Sequence, residues 1–359
     1  YVYEPYQLAD IYGRADLAEY SVFVWLPLSL LAFHRLVEQP TAPRLALAGL
    51  TVGGLWLTHN VTGLVFTPLL AAYVLFRILA ESTSRKDGLK RAGTSLAGAL
   101  LGLGVAAALI LPNIFERAYI VQEQWVRAGY DYALHFLRPA DLLSSAWGYA
   151  PGVPGTEGGI SFQLGVVPVI LSSVAVVRAF VQPLGSRRGT GLSDRGLILF
   201  FTGATLALLF LMLPCSASLW ELLPIAALVQ FPWRLLALTT VTLAVLSGLS
   251  IQTTNQRIPE PQATDPGHQP PAISIHHPPL SGQLLVLCLV AILASFPYTQ
   301  PQYTPVPESA GSPLLSIEFE LRYEDMRGMT AWTEEMPTDS PLVAQYLAGE
   351  PLITATALA

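Results

Sequence analysis

Three charged side chains stand close together just before the first long apolar run of the chain. Arg14 and Asp16 precede this run, and Glu19 falls in its first turn. An arginine can bind phosphate oxygens through paired hydrogen bonds, and a neighbouring carboxylate can orient a hydroxyl group. A carboxylate at the start of a helix is also favoured by the helix dipole alone. The segment therefore predicts either an anion-binding site or a helix cap, and both interpretations stay open.

A histidine separates the second and third apolar runs, in the sequence Thr58-His59-Asn60. Nothing about a turn requires a histidine, since turns are served by residues such as Asn and Gly. An imidazole beside Arg14 and the carboxylates could carry a proton or contact a phosphate. A hydrogen-bonded structural histidine is the alternative interpretation.

Aromatic and basic residues also stand together at the start of the seventh apolar run. Gln230-Phe-Pro-Trp233-Arg234 opens that run, and Trp and Arg are ordinary anchors at a membrane boundary. In a long loop over 113–160, Trp147, Tyr149 and the glycine-rich stretch Gly155–Gly159 could cover a substrate. On composition alone, neither segment distinguishes anchoring from substrate binding.

The composition indicates a membrane protein, because 52% of the residues are hydrophobic and only 12% are charged. The net charge of −6 and the lack of a basic block exclude a nucleic-acid-binding protein. Cys215 and Cys288 are too far apart in the chain to indicate a metal pair or a disulfide framework. No phosphate-binding loop, zinc-protease motif, nucleophile elbow or dinucleotide fingerprint occurs. We therefore predict no metal site and no cofactor, although the acids would be compatible with a divalent metal.

Apolar stretches of membrane-spanning length predict an all-α integral membrane protein, a bundle of about eight transmembrane helices. The expected spans are approximately 18–37, 44–58, 61–80, 92–112, 161–181, 196–214, 232–251 and 283–297. Within the fourth span, Gly98 and Gly102 form a GxxxG pattern, which allows close helix packing in lipid.

Charge sets the expected orientation of these spans. If residues before the first span lie outside and the spans alternate, the inside loops hold twelve of the nineteen Lys and Arg residues and only six of the twenty-five acids. The loops 81–91 and 182–195 satisfy the positive-inside rule on this topology. All the candidate site residues then fall on the extracytoplasmic side.

Four regions follow from this topology. Residues 1–251 form the transmembrane bundle, including the outer loop 113–160, and 283–297 form the last transmembrane helix. The inside linker 252–282 is rich in Pro, Gln and His and is expected to be disordered. Residues 298–359 are expected to form a small, incomplete extracytoplasmic tail, with a strand-like alternation over Leu315–Tyr323. Because the chain opens without Met or a leader, we expect it to be truncated at its N-terminus.

Several segments resemble a known family at these positions. Tyr3-Glu-Pro5-Tyr6 followed by Asp10-Ile-Tyr12-Gly-Arg14-Ala-Asp16-Leu-Ala-Glu19 resembles its "PY…IY.RG.LAE" segment, and Thr58-His59-Asn60-Val-Thr62 its "SHN.T" turn. Gln230-Phe-Pro-Trp-Arg234 resembles its "QFPWR" segment, and Thr330–Pro337 is similar to a tail strand. The family is the bacterial membrane proteins labelled 6-pyruvoyl-tetrahydropterin synthase-related, which resemble GT-C-type glycosyltransferases.

The resemblance implies a bacterial inner-membrane enzyme that takes a sugar from a polyprenyl-phosphate donor on the extracytoplasmic face. It maps Arg14, Glu19, His59 and Arg234 onto the donor site, and Asn60 and Trp233 lie in the same motifs. Asp16, which departs from the glycine common in the motif, and Glu19 are candidate catalytic acids. The catalytic residue itself is expected upstream of this chain. The implied partners are membrane lipid and a lipid-linked sugar, with no nucleic acid.

Two other function classes stay open. A transporter or flippase of a lipid-linked or anionic solute would also carry Arg and carboxylate residues beside short, interrupted spans. A non-catalytic scaffold for envelope assembly is the third possibility.

Overall fold

The computed structural model describes residues 1–121, 130–149, 152–155, 158–181, 194–223, 226–255, 282–300, 312, 314–315, 331–332 and 341–351. These residues are mostly helical, and none of them lies in a β-strand. The α-helices are α1 Pro5–Leu8, α2 Leu17–Glu38, α3 Ala42–Thr58, α4 Asn60–Glu81, α5 Arg85–Val105, α6 Ala107–Phe115, α7 Val166–Val181, α8 Asp194–Leu211, α9 Ala217–Glu221, α10 Ala226–Val229, α11 Leu236–Asn255, α12 Gly282–Ser295 and α13 Pro341–Leu347. The segment Ala9–Arg14 is π-helical, and 3₁₀ turns cover Arg117–Tyr119, Tyr132–Leu134, Pro214–Ser216, Pro232–Leu235 and Phe296–Thr299.

Each of the eight apolar runs is helical in the structure, but the helices differ from the expected spans in length. The fourth run is divided between α5 and α6. The fifth begins only at Val166, because Gly165 has a φ of 79° that an α-helix does not accept. The last helix, α12, ends at Ser295 and continues as a 3₁₀ turn.

Among the residues that the structure describes, four helices are long and apolar enough to cross a membrane: α2, α4, α8 and the segment Pro232–Ile251 that contains most of α11. Taken together, α5 and α6 make a fifth candidate, and α7 and the segment Leu284–Thr299 are shorter apolar helices. These helices indicate a membrane protein. The expected count of eight spans stays a prediction.

The chain divides into two compact units, and the larger one comprises Tyr1–Ala106 and Tyr132–Gln300. Within it, α2 packs against α3 and α4, while α11 packs between α7 and α8. The helix α11 also contacts α2, and together these helices bury one continuous apolar core. The start of α2, the start of α4 and the turn before α11 meet at one end of this core, and the candidate site lies there.

The predicted GxxxG pattern lies at a close contact between α3 and α5. A Cβ atom on Gly102 would come within 2.6 Å of the Val52 Cβ and 2.7 Å of the Gly49 carbonyl oxygen. A Cβ on Gly98 would meet the Ala48 Cβ at 3.3 Å. The two glycines therefore let the helix backbones approach closely, as small residues do in membrane proteins.

The smaller unit comprises Ala107–Asp131 and Pro301–Ala359. Among its described residues, the Ala331 amide donates a hydrogen bond to the Tyr119 carbonyl at 3.0 Å, and the Trp332 ring stacks on Tyr119. Leu315 is helical, but the rest of the expected strand, 316–323, lies outside the described residues. Most of the expected inside linker, 256–281, also lies outside them, so the β-containing tail and the disordered linker stay predictions.

Candidate functional site

A cluster of ionisable side chains forms where the starts of α2, α4 and α11 meet. We call it the Arg14 cluster; its members are Tyr6, Asp10, Arg14, Asp16, Glu19, His59 and Arg234. It contains four residues that the sequence analysis assigned to a donor site, from segments up to 220 positions apart in the chain. Tertiary packing thus brings Arg14, Glu19, His59 and Arg234 together.

The backbone that leads into the cluster is irregular. The segment Ala9–Arg14 is π-helical, with i→i+5 in place of i→i+4 hydrogen bonds, and single π-helical turns are often found at functional sites. It ends at Ala15, whose φ of 54° lies in the left-handed region that favours glycine. Asp16 then caps α2, with its Oδ1 accepting the Glu19 amide proton at 2.9 Å.

Arg14 is the hub of the cluster. Its Nη1 donates to Glu19 Oε2 at 2.8 Å, to Asp10 Oδ1, and weakly to the Tyr6 hydroxyl at 3.4 Å. Its Nη2 donates to Asp16 Oδ2 at 3.1 Å. One guanidinium group therefore holds three carboxylates, and its side chain is only 13% exposed. This geometry makes Arg14 an organiser of acids more than a free ligand for phosphate.

Glu19 is completely buried and links both arginines. Its Oε1 accepts a hydrogen bond from the Tyr6 hydroxyl at 2.7 Å, while Oε2 faces Arg14 and also lies 3.4 Å from Arg234 Nε. A buried carboxylate is tolerated only when it is paired and hydrogen-bonded in this way. Glu19 is 0% exposed, so in this structure it contacts the two arginines and Tyr6 and not solvent.

Arg234 lies in the segment that precedes α11, residues 230–235, which we call the strap. Its Nη1 donates to the Val229 carbonyl and to Gln230 Oε1, both at 2.9 Å, and its guanidinium carbon lies 4.8 Å from the Phe231 ring centroid. Gln230 has a φ of 64°, an uncommon conformation for a residue with a side chain. Trp233, 2% exposed, stacks on Phe231 and lies 4.8 Å from the Arg14 guanidinium carbon. The two stacked rings thus lie between two cations, with Arg14 over Trp233 and Arg234 over Phe231, and cations and aromatic rings attract each other.

His59 is the single residue between α3 and α4, and it caps the start of α4. Its Nδ1 lies 2.8 Å from Thr62 Oγ1 and accepts the Thr62 amide proton at 3.3 Å. Burial lowers the pKa of His59. The charge of Glu19 raises this pKa, and the charge of Arg234 lowers it. The imidazole is therefore neutral at neutral pH, which suits a ligand or proton acceptor better than a cationic phosphate contact.

Asp10 is completely buried, and its Oδ2 has no hydrogen-bond partner among the described residues. Burial, reinforced by the Glu19 charge and opposed by Arg14, raises the pKa of Asp10 to about 9. The group thus carries a proton at neutral pH. Asp16, at 25% side-chain exposure, is the most accessible of the three carboxyl groups.

Not every predicted site residue joins the cluster. Asn60 begins α4 and is exposed, and within the described part of the chain it makes no hydrogen bond or ion pair with the cluster. The aromatic loop residues Trp147 and Tyr149 pack away from it: Trp147 contacts the Tyr298 ring at 4.8 Å, and the Tyr149 hydroxyl donates to the Gln300 carbonyl.

The same loop borders a cavity of about 300 Å³ with a polar wall. Arg138 and Asp141 form an ion pair there at 2.9 Å, with Ser144 and Ser161 nearby. Phe162, which also lines this cavity, packs on Trp233 with ring centroids 5.4 Å apart. One aromatic contact thus joins the loop cavity to the Arg14 cluster.

The sequence analysis missed Tyr6 and Asp10, although the spacing of Asp10 and Arg14 by four residues favours an ion pair on one helix face. It also missed a second group, which we call the Arg77 cluster: His34, Glu38, Tyr73, Arg77, Glu81 and Arg91. It joins the other ends of α2 and α4 to the start of α5. The i,i+4 spacings of His34 with Glu38 and of Arg77 with Glu81 were the available signal.

A scan against models of protein families finds none that matches this chain, and no curated protein and no solved structure matches it. The resemblance to the GT-C-type family therefore stays a prediction.

Proposed function

We propose that this chain is a membrane glycosyltransferase of GT-C type that transfers a sugar from a polyprenyl-phosphate donor. The observation that carries the proposal is the convergence of Arg14, Glu19, His59 and Arg234 in one cluster at the ends of apolar helices. A lipid-linked sugar phosphate has an anionic group at the membrane boundary, a polar sugar beside it and an apolar tail. A charged cluster at the end of an apolar helix bundle would place the phosphate at the cluster and the apolar tail along the helices.

The start of a helix is a favourable place for an anion, and three helices begin at the Arg14 cluster. Backbone N–H groups at these starts point towards the site, and the helix dipoles add partial positive charge. Arg234 Nε faces Glu19 Oε2 from 3.4 Å but makes no hydrogen bond within the described residues, so in this proposal a phosphate oxygen can accept from it. In this proposal Arg234 contacts the phosphate, while Arg14 keeps the acids in place.

Inverting transfer needs a base for the acceptor hydroxyl and stabilisation of the leaving phosphate. Asp10 is protonated at neutral pH and Glu19 is fully enclosed, so neither suits the role of base. Asp16 is partly exposed and held by Arg14, and it is the carboxylate in this chain best placed to meet a hydroxyl group. Arg14 lowers the barrier indirectly, by keeping Asp16 in position.

The extracytoplasmic location in a bacterial inner membrane, with multiple spans, belongs to the same proposal. Arg35, Arg44, Arg77 and Arg91 lie at the helix ends opposite to the Arg14 cluster, and basic residues mark the cytoplasmic side. This distribution supports an outer Arg14 cluster. The polar loop cavity at Arg138 and Asp141 is the proposed place for the sugar or acceptor.

The geometry favours an enzyme over a transporter. Transporter sites lie near the middle of the membrane between broken helices. The Arg14 cluster instead lies at helix ends, with Asp16 capping α2 and His59 capping α4.

The test is a transfer assay with a polyprenyl-phosphate sugar and the full-length protein in membranes. Arg14→Ala and His59→Ala are expected to lower the rate by at least about 100-fold, because they remove positioning and proton-transfer groups. Both variants should still insert into membranes, as judged by membrane fractionation. Full activity of both variants would make these residues structural and would refute the proposed site.

A further inference from the structure

The Arg14 cluster has no surplus positive charge for an anion. Its carboxyl groups Asp10, Asp16 and Glu19 outnumber its guanidinium groups Arg14 and Arg234 by one. The formal side-chain charge is therefore −1, or zero when one carboxyl group is protonated. A phosphodiester would add another negative charge to a largely buried site, which is costly unless a cation compensates it.

We propose that Asp16, Glu19 and His59 bind one divalent transition-metal ion, Mn²⁺ or Zn²⁺. The role of this ion rests on the proposed function, because the ion would supply the charge that attracts the donor phosphate. The binding of the ion does not rest on the proposed function. One ligand atom of each residue lies within 4.8 Å of the others. Three ligand atoms at about 2.1 Å from one ion are about 3.4–3.6 Å apart, so a movement of less than ~1 Å by each atom completes the set.

The donor set of two carboxylate oxygens and one imidazole nitrogen suits these metals. Each carboxylate oxygen can accept two bonds, and Glu19 Oε1 accepts only the Tyr6 hydroxyl in the described structure. Asp16, at 25% side-chain exposure, leaves an open side of the site where water or a phosphate oxygen could complete the coordination.

His59 has the support that a metal-binding histidine needs. In the structure Nδ1 accepts the Thr62 amide proton, so a neutral ring carries its proton on Nε2. Coordination through Nε2 selects the other tautomer, in which Nδ1 donates its proton to the Thr62 hydroxyl 2.8 Å away. Within the described residues, no hydrogen bond engages Nε2. The Thr62 hydroxyl thus fixes the ring for coordination.

Unpartnered buried atoms give an independent indication of a ligand. Arg234 Nε, in a side chain only 9% exposed, points at Glu19 Oε2 from 3.4 Å without forming a hydrogen bond. Asp10 Oδ2 is likewise buried and without a partner among the described residues. Buried polar groups are nearly always satisfied, so these atoms indicate that the polar contacts of the cluster are incomplete. The Arg234 N–H can meet only an acceptor, such as an oxygen of the phosphate that the ion would attract, and it does not itself bind the ion.

The test is a titration of the full chain with Mn²⁺ in uncharged detergent micelles near neutral pH, followed by the electron paramagnetic resonance signal of free Mn²⁺. We expect one Mn²⁺ per chain. Asp16→Asn is the decisive variant, because asparagine still caps a helix but lacks the charge of the ligand. Asp16→Asn and His59→Ala should each weaken Mn²⁺ binding by at least about tenfold.

Matched controls come from the Arg77 cluster at the other helix ends. Glu38→Gln and His34→Ala should leave Mn²⁺ affinity within about twofold of the wild type, since neither residue belongs to the ligand set. Size-exclusion profiles and unfolding temperatures show which variants fold. If His59→Ala does not fold, the Mn²⁺ affinity of Asp16→Asn decides the question. No saturable binding by the wild type, or unchanged binding by Asp16→Asn, would overturn the inference.

The outcome is separable from the transfer assay. Stoichiometric Mn²⁺ binding without sugar transfer would support the metal site and refute the proposed function. Transfer that continues at full rate after treatment with a chelator, together with no Mn²⁺ binding, would support the function and refute the metal site.

Discussion

The two ionic clusters occupy opposite ends of α2 and α4, and they are built in different ways. The Arg77 cluster joins residues on regular helices, with contacts at i,i+4 spacing such as the ion pair of Arg77 with Glu81. The Arg14 cluster gathers side chains from a π-helical segment, a one-residue link and a 3₁₀ strap. Ordinary helix geometry is thus enough for the first cluster but not for the second.

Backbone strain follows the same division. Within the described part of the chain, the non-glycine residues with positive φ are Ala15 and Gln230, and both lie next to Arg14 cluster members. Strained backbone persists where the surrounding structure maintains it, and it is concentrated at functional sites. Arg77 Nε also lacks a partner, so unsatisfied atoms alone do not distinguish the clusters. The difference in backbone geometry supports the proposal that the Arg14 cluster binds the donor, whereas the Arg77 cluster connects the ends of α2, α4 and α5.

The largest expected contrast is between Glu19→Ala and Glu38→Ala. Glu19 is 0% exposed and faces two arginines, so its loss leaves buried charge uncompensated and should cost about 3–5 kcal/mol of unfolding free energy. Glu38 is 45% exposed, and its loss should cost less than ~1 kcal/mol. Chemical unfolding in detergent micelles measures both. Equal losses of unfolding free energy in the two variants would contradict the proposed difference between the clusters.

The second contrast concerns pH. The pKa of Asp10 is raised to about 9 by burial, whereas an unfolded aspartate titrates near about 4. The folded chain therefore binds the proton more tightly, and stability should fall as pH rises between these values, by at most about 1.4 kcal/mol per pH unit.

Asp10→Asn should flatten this decline, because asparagine keeps the shape of the protonated acid without titrating. Unfolding midpoints of wild type and variant at several pH values between these limits measure the effect. A variant whose stability declines with pH as steeply as that of the wild type would show that Asp10 is not the group responsible.

The smallest effect concerns the strain at Ala15. Ala15→Gly should stabilise the fold by about 1 kcal/mol, since glycine adopts a positive φ without the steric cost that alanine pays. Ala46→Gly, at an exposed position inside α3, is the matched control and should destabilise by about 1 kcal/mol. If both substitutions destabilise, Ala15 is not strained, and the contrast in backbone geometry loses its support.

The sequence predicted the helices well but the site only in part. Apolar runs gave helices such as α2 and α4 within one residue of the expected limits, because length and hydropathy determine them. The break after Val105 was missed, since nothing in the apolar pattern of 92–112 marks it. For the site, motif positions identified Arg14, Glu19, His59 and Arg234.

Other features of the site depend on tertiary contacts that no local pattern encodes. The enclosure of Glu19 requires the strap before α11 to meet the start of α2. The contact between Arg14 and Trp233 requires the same approach. Asp10 and Tyr6 could have been found from the spacing of Asp10 and Arg14, and the spacings at Arg77 would have revealed the second cluster.

The most direct test of the central claim, that the Arg14 cluster binds the donor, is the affinity of a polyprenyl-phosphate sugar for two arginine variants. Arg234→Gln should weaken donor binding by at least about tenfold, because it removes a charge-assisted hydrogen bond to phosphate. Arg91→Gln, in the Arg77 cluster, should bind the donor as the wild type does. Equal affinity of the two variants, or no donor binding by the wild type, would contradict the claim.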